Sequence, residues 1–180
     1  NYYVLRGPEA KRMSICQAKF PKESSLSLVI PTQQKWDVDL QQERIITSRR
    51  YPDFSFSVRL NKNLINFYDT YPTSTLNNDF MTRWAMYANA PMAEEVTKDL
   101  YPQMKAKLKG LSNLEAMERL LNWVQTGFEY KFDNEVWGDD RAFFGEETLF
   151  YPYCDCEDRS ILLSHLVREL LGLDTVLIYY

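Results

Sequence analysis

Cysteine and histidine are the scarce residues of this 180-residue sequence, which holds three Cys and one His. An odd cysteine count excludes a complete disulfide framework. Cys154 and Cys156 form a C-x-C pair. The remaining soft ligands are only Cys16 and His165, so every one in the chain would be needed to close a zinc shell, and no metal site is expected. The chain also lacks any apolar run approaching about eighteen residues, so no membrane span is expected. It lacks a basic stripe, and with a formal net charge of −4 no nucleic-acid partner is expected. Neither a repeat period nor a low-complexity tract is present, and no cofactor is implied. The sequence opens at Asn1 rather than Met, which leads us to expect a removed leader or an excised piece. The compartment stays open, with an extracytoplasmic one, periplasmic or secreted, preferred.

What remains is ordinary globular material: 45% hydrophobic and 26% charged residues, enough to bury a sizeable core. The aromatic share is high at 14%, with twelve Tyr, which suits a β-rich portion or a binding groove. Residues 1–75 read as a β-rich N-terminal domain. "YYVLR", "RMSICQAKF" (with Cys16 as a small buried hydrophobe), "SLSLVI", "KWDVDLQ", "RIITS" and "FSFSVRL" alternate in the manner of strands. "NKN" has turn chemistry and "LINFYDTY" follows it, so 54–70 is expected to be a hairpin. Past residue 76 the period changes from two to 3.6. Residues 76–111 form a helical connector, with one helix stopping at Pro91 and a second kinked or ended by Pro102.

The strongest helix signal is "SNLEAMERLLNWVQTGFEY", opened by a capping box of Ser112 and Glu115 and closed at Gly127. Its apolar stripe is read as Leu114, Met117, Leu120, Leu121 and Val124. Lys131 to Asp158 is then an acidic, aromatic stretch with nine Asp or Glu; "DNEVWGDD" lacks the ligand spacing of an EF-hand, so a solvated loop is expected. A last helix runs from about Cys156 to Leu171, with Asp155 as N-cap, Asp158 three positions on and Gly172 as the stop. "TVLIYY" should be a strand.

Cys156 in the first turn of that helix lies where unpaired N–H groups favour an anion. The dipole contributes only about 0.3–1 kcal/mol at an exposed site, less than one pKa unit. Asp155, Glu157 and Asp158 act in the opposite sense, so the thiol should stay protonated without a cationic partner. His165 is not that partner. Nine residues on, it lies about 13.5 Å along the helix and roughly 180° around it. It reads as a structural or surface histidine.

"AMERLLNWVQTGFEYKFD", followed by "ETLFYPYCDCEDRSILLSHLVRELLGLDTVLIYY", resembles the core of the transglutaminase-like cysteine enzyme superfamily. Residues that carry the resemblance are Trp123, Val124, Phe128, Tyr130, Thr148, Leu149, Cys156, Asp158, Leu171, Gly172 and Leu173. It spans about 112–180. The resemblance implies an α+β protein: an N-terminal antiparallel β unit, then the helical half of a transglutaminase-like (papain-like) core whose C-terminal sheet is incomplete.

It also makes Cys156 the nucleophile of a hydrolase or acyltransferase that acts on peptide or amide bonds through a thioester. Trp123, Tyr130, Tyr153, Cys154 and Asp158 are then the candidate substrate cleft, with Cys154 in the approach loop, and the partner is a peptide or protein substrate. The family carries its His and Asp on strands beyond the helix, and no residue here can be assigned either role, so the chain alone is expected to be inactive. The Gly that usually precedes the Cys is replaced by "PYCD". Residues 174–180 are expected to pair with polypeptide outside this sequence or with another chain. The alternative is a non-catalytic module that binds glycan, peptide or a protein partner on a degenerate core. A His on a strand beyond Tyr180, followed by an Asp or Asn, would favour the enzyme.

Overall fold

Two short stretches of alternating residues meet first. β1 (Arg44–Thr47) and β2 (Ser55–Val58) pair antiparallel with Ile46 opposite Phe56. Their inward residues Ile46, Phe56 and Val58 are buried, while Ile45 on the other face is exposed. The computed structural model describes residues 37–70 and 80–178, all within one folded unit. The expectations placed on "YYVLR", "RMSICQAKF" and "SLSLVI" lie outside the described residues.

The anticipated hairpin over 54–70 is not formed. β2 turns back on β1, and α1 (Lys62–Thr70) is a helix. Asn61 begins it: its Oδ1 accepts the N–H of Asn63 at 3.1 Å, and its carbonyl accepts the N–H groups of Leu64 and Ile65. "NKN" is therefore an Asn cap rather than a β-turn, and Leu64 and Ile65 are buried at adjacent helical positions.

Four longer helices build most of the interior: α2 (Phe80–Asn89), α3 (Glu94–Leu108), α4 (Asn113–Thr126) and α7 (Cys156–Leu171). Between the last two lie β3 (Glu129–Tyr130), α5 (Asp133–Val136), α6 (Gly145–Phe150) and β4 (Tyr153–Cys154). The protein is α+β. α3 runs unbroken through Pro102, contrary to the expected kink or stop. Proline removes one N–H from the ladder. Pro102 is exposed, and Val96, Leu100, Met104 and Leu108 recur every fourth residue on the buried side, clamping both halves to one core.

α4 has the anticipated capping box, with Ser112 Oγ and the Glu115 carboxylate exchanging bonds with each other's backbone N–H. Its buried face is rotated from the expected stripe. Ala116, Leu120, Trp123 and Val124 point inward, and Leu114 and Leu121 are exposed. Trp123 sets this rotation. Its indole, fully buried, donates from Nε1 to Ile46 O at 2.9 Å and packs edge-on to Phe56 and Phe128. The helix α4 is thus tied to β1.

One core cluster runs from Ile46 on β1 through Leu100, Leu120 and Trp123 to Leu162 and Leu166 on α7, so strands and helices share an interior. Arg44 joins it to the site region. Its Nη1 donates to the carbonyls of Leu149, Phe150 and Tyr151, closing the C-terminal end of α6. No helix among the described residues is long and apolar enough to cross a membrane.

Residues 172–178 form no strand, contrary to expectation, and Val176 and Ile178 are more than four-fifths exposed. High β preference makes a strand only where a partner edge is offered. No ladder includes this segment among the described residues. Tyr179 and Tyr180 lie outside them.

Candidate functional site around Cys156

α7 starts where the sequence places it. Asp155 is the N-cap, and Asp158 Oδ2 accepts the Asp155 N–H at 3.2 Å. Gly172 ends the helix at φ 65°, the left-handed conformation that glycine adopts without strain. Cys156 is the first residue of this doubly anchored helix and is exposed, whereas Cys154, two residues earlier, is buried.

The two-residue parallel pairing of β3 with β4 sets Tyr130 opposite Cys154. It also carries the Tyr130 hydroxyl against the Cys156 thiol. Cys156 Sγ lies 3.1 Å from Glu157 Oε2, a distance at which the thiol proton is donated to the carboxylate. Partial burial first, then that bond and the charges of Glu157 and Asp155, push the Cys156 pKa up from 9.0 to about 11. The Glu157 N–H acts in the opposite direction. The carboxylates and partial burial therefore outweigh the helix terminus, and the resting thiol is protonated. Cys154 is also pushed up to about 11, chiefly by burial, despite a 3.4 Å bond from Arg159 Nε to its sulfur.

Cys156 helps line a groove of about 860 Å³. Ser160, Ser164 and Arg168 of α7 line it, with Trp84 and Ala88 of α2 opposite and the extended segment 175–178 along one side. Its walls are mainly apolar, as in sites that hold a flexible ligand by its carbon skeleton.

His165 is buried on another face of α7, its Nε2 3.1 Å from Tyr87 O. Burial, more than any charge, holds it neutral. Its role is structural, linking α7 to α2. Of the residues nominated for the cleft, Tyr130 is beside Cys156. Tyr153 is half-buried in an aromatic row, stacked on Tyr151 and edge-on to Trp137. Trp123 and Asp158 are fully buried, and Cys154 faces the core, so these three support the site from beneath rather than line it.

The acidic stretch is not the solvated loop that its composition suggests. Asp133, Glu146, Glu147, Asp155 and Asp158 are buried. Four of them serve backbone N–H groups left open by short elements: Asp133 accepts from Arg141, Glu147 from Phe144, Glu146 from Ala93, and Asp158 from Phe143 and Asp155. Glu147 also meets Arg141 Nη2 at 2.7 Å. That guanidinium bonds Asp69 as well, and lies 4.3 Å over the Trp137 ring. The signal for this burial was the aromatic interleaving of the acids, which marks packed rather than wet segments. Compared with known proteins, the chain matches no family model, no curated protein and no solved structure.

Proposed function

We propose that Cys156 is the nucleophile of a transglutaminase-like cysteine hydrolase or acyltransferase acting on peptide or amide bonds through a thioester. The observation that carries this reading is the contrast within the C-x-C pair. Cys156 is exposed at the head of a capped helix and opens onto a groove, while Cys154 is buried. In such chemistry the sulfur attacks the substrate carbonyl, the amine leaves with a proton, and water or a second amine releases the acyl group. Cys156 needs a base to lose its proton, and the chain's one histidine is bound to Tyr87 O elsewhere on α7. Amide turnover by these 180 residues alone is therefore not expected.

The half-reaction that needs no base in the protein is accessible. At alkaline pH, p-nitrophenyl acetate should acetylate Cys156, giving a hydroxylamine-labile adduct located by peptide mass spectrometry. An adduct on Cys154 instead, or none on Cys156, contradicts the assignment.

A second reading, a peptide-binding module on the same groove, is favoured by the exposure of Val176 and Ile178 beside it. Under that reading Cys156→Ser binds peptide as tightly as the wild type and no acyl adduct forms.

A further inference from the structure

Beneath Cys156 three carboxylates converge. Asp133 at the start of α5, Asp155 at the N-cap of α7 and Asp158 in its first turn are all more than nine-tenths buried. One oxygen from each lies within 4.8 Å of the others. Within this trio Asp155 Oδ1 is fully buried and has no hydrogen-bond partner. A buried carboxylate oxygen without a donor is costly, and protein donors already serve its neighbours: Arg141 N for Asp133, and Phe143 N and Asp155 N for Asp158. The two arginines that flank the trio in sequence are engaged elsewhere. Arg141 directs its guanidinium to Asp69 and Glu147, and Arg159 to Cys154 and Phe128 O. No guanidinium or ammonium is bonded to the Asp155 side chain among the described residues.

We propose that Asp133, Asp155 and Asp158 hold a hard divalent cation, with calcium the best fit. All three donors are carboxylate oxygens, the ligands that hard cations select over soft ones. Oxygens no more than 4.8 Å apart leave a central point within about 2.8 Å of each, close enough for direct ligation. Calcium, which accepts carboxylates in flexible geometry, is preferred to magnesium, which demands a near-ideal octahedron and keeps its waters. A route from solvent exists. Asp133 also belongs to a second group with Asp140 and Glu157, the former exposed and the latter half-buried, so the ion reaches the trio along carboxylates. A bound ion would cross-link α5 to the head of α7 and fix the backbone that presents Cys156.

The experiment uses the 180-residue chain, stripped with EDTA, and titrates it with calcium, magnesium and terbium chlorides. Binding is read by calorimetry, by terbium emission on excitation of the aromatic residues and by the shift in thermal midpoint. Calcium should bind at one site and raise the midpoint, magnesium should do so more weakly, and terbium emission should be displaced by calcium. Asp155→Asn keeps an N-cap and should stay folded by circular dichroism, while affinity for calcium falls by about tenfold or more. Asp133→Asn, which leaves the α7 cap intact, should show the same loss. Absence of calcium binding to the folded wild type at millimolar calcium overturns the proposal. So does undiminished binding in both variants, which would place the ion among surface acids. An Asp155→Asn chain that is more stable than wild type, with neither responding to calcium, would show a shared proton in the ion's place and also overturn it.

Discussion

Glu146→Gln should stabilise the protein in neutral to alkaline solution and leave it nearly unchanged in mild acid. Glu146 is 2% exposed in the first turn of α6, where its Oε1 accepts the Ala93 N–H at the start of α3 and its carboxyl is bonded to the Tyr68 hydroxyl. Burial, reinforced by the charges of Glu147 and Glu95 and opposed by the Ala93 N–H, pushes its pKa from 4.5 up to about 7. Because the folded value lies above the unfolded one, the protonated side chain favours folding. That contribution is full below about pH 4.5 and is lost as pH rises through about 7. The rise is worth about 3 kcal/mol, at 1.36 kcal/mol for each pKa unit.

Gln keeps the acceptor for Ala93 N–H, offers its amide to the Tyr68 oxygen and removes the ionisation. Differential scanning fluorimetry of both proteins from about pH 4 to 8 should show nearly matching midpoints at about pH 4. The variant should be higher by about 6–12 °C at pH 8, the scale for a domain of this size. Comparing the two at each pH cancels the titration of Asp133 and Asp155, which burial also pushes up, to about 6 and about 8. An equal offset at both ends of the range, or a variant less stable at pH 8, would refute the account of Glu146 as a buried charge without a cation.

Two further predictions concern the scaffold. A Cβ at Gly127 would lie 2.5 Å from Ile46 Cγ2 and 2.8 Å from Trp123 O, so Gly127→Ala should cost about 1–3 kcal/mol in urea unfolding. A cost near zero would mean that α4 and β1 are less closely held than described. His165→Ala removes a buried hydrogen bond to Tyr87 O, and should cost about 1–3 kcal/mol while changing the alkylation rate of Cys156 by less than about twofold. A large loss of Cys156 reactivity in a folded variant would contradict the placing of His165 away from the thiol.

Features set by local chemistry were legible in the sequence. Ser112 with Glu115, Asp155 with Asp158, and Gly172 fix both ends of the helix that presents Cys156 and the start of the one beneath it. Their hydrogen bonds close within four residues and need no tertiary partner. "RIITS" and "FSFSVRL" were legible as strands for a similar reason: alternation sorts their faces before any partner is chosen.

What depended on distant packing was misread. Asn61 caps a helix because Leu64 and Ile65 find the core, though the same residues fit a strand. Pro102 stays within α3 because four buried residues bracket it. Leu114 lost its place in the stripe to Trp123, whose indole had a carbonyl on β1 to reach. The buried acids escaped notice because their partners are backbone N–H groups, and only the aromatics interleaved with them mark the burial in the sequence. "TVLIYY" had the residues of a strand, but no edge in the described structure receives it.

The most direct test of Cys156 as the presented nucleophile is the rate of iodoacetamide labelling at each cysteine of the folded chain, followed by peptide mass spectrometry. Cys156 should be modified first and at a rate that rises with pH toward about 11, while Cys154, buried against the core, should react only on unfolding in denaturant. Equal labelling of the two under native conditions, or a Cys156 that resists the reagent until the protein unfolds, would contradict the account.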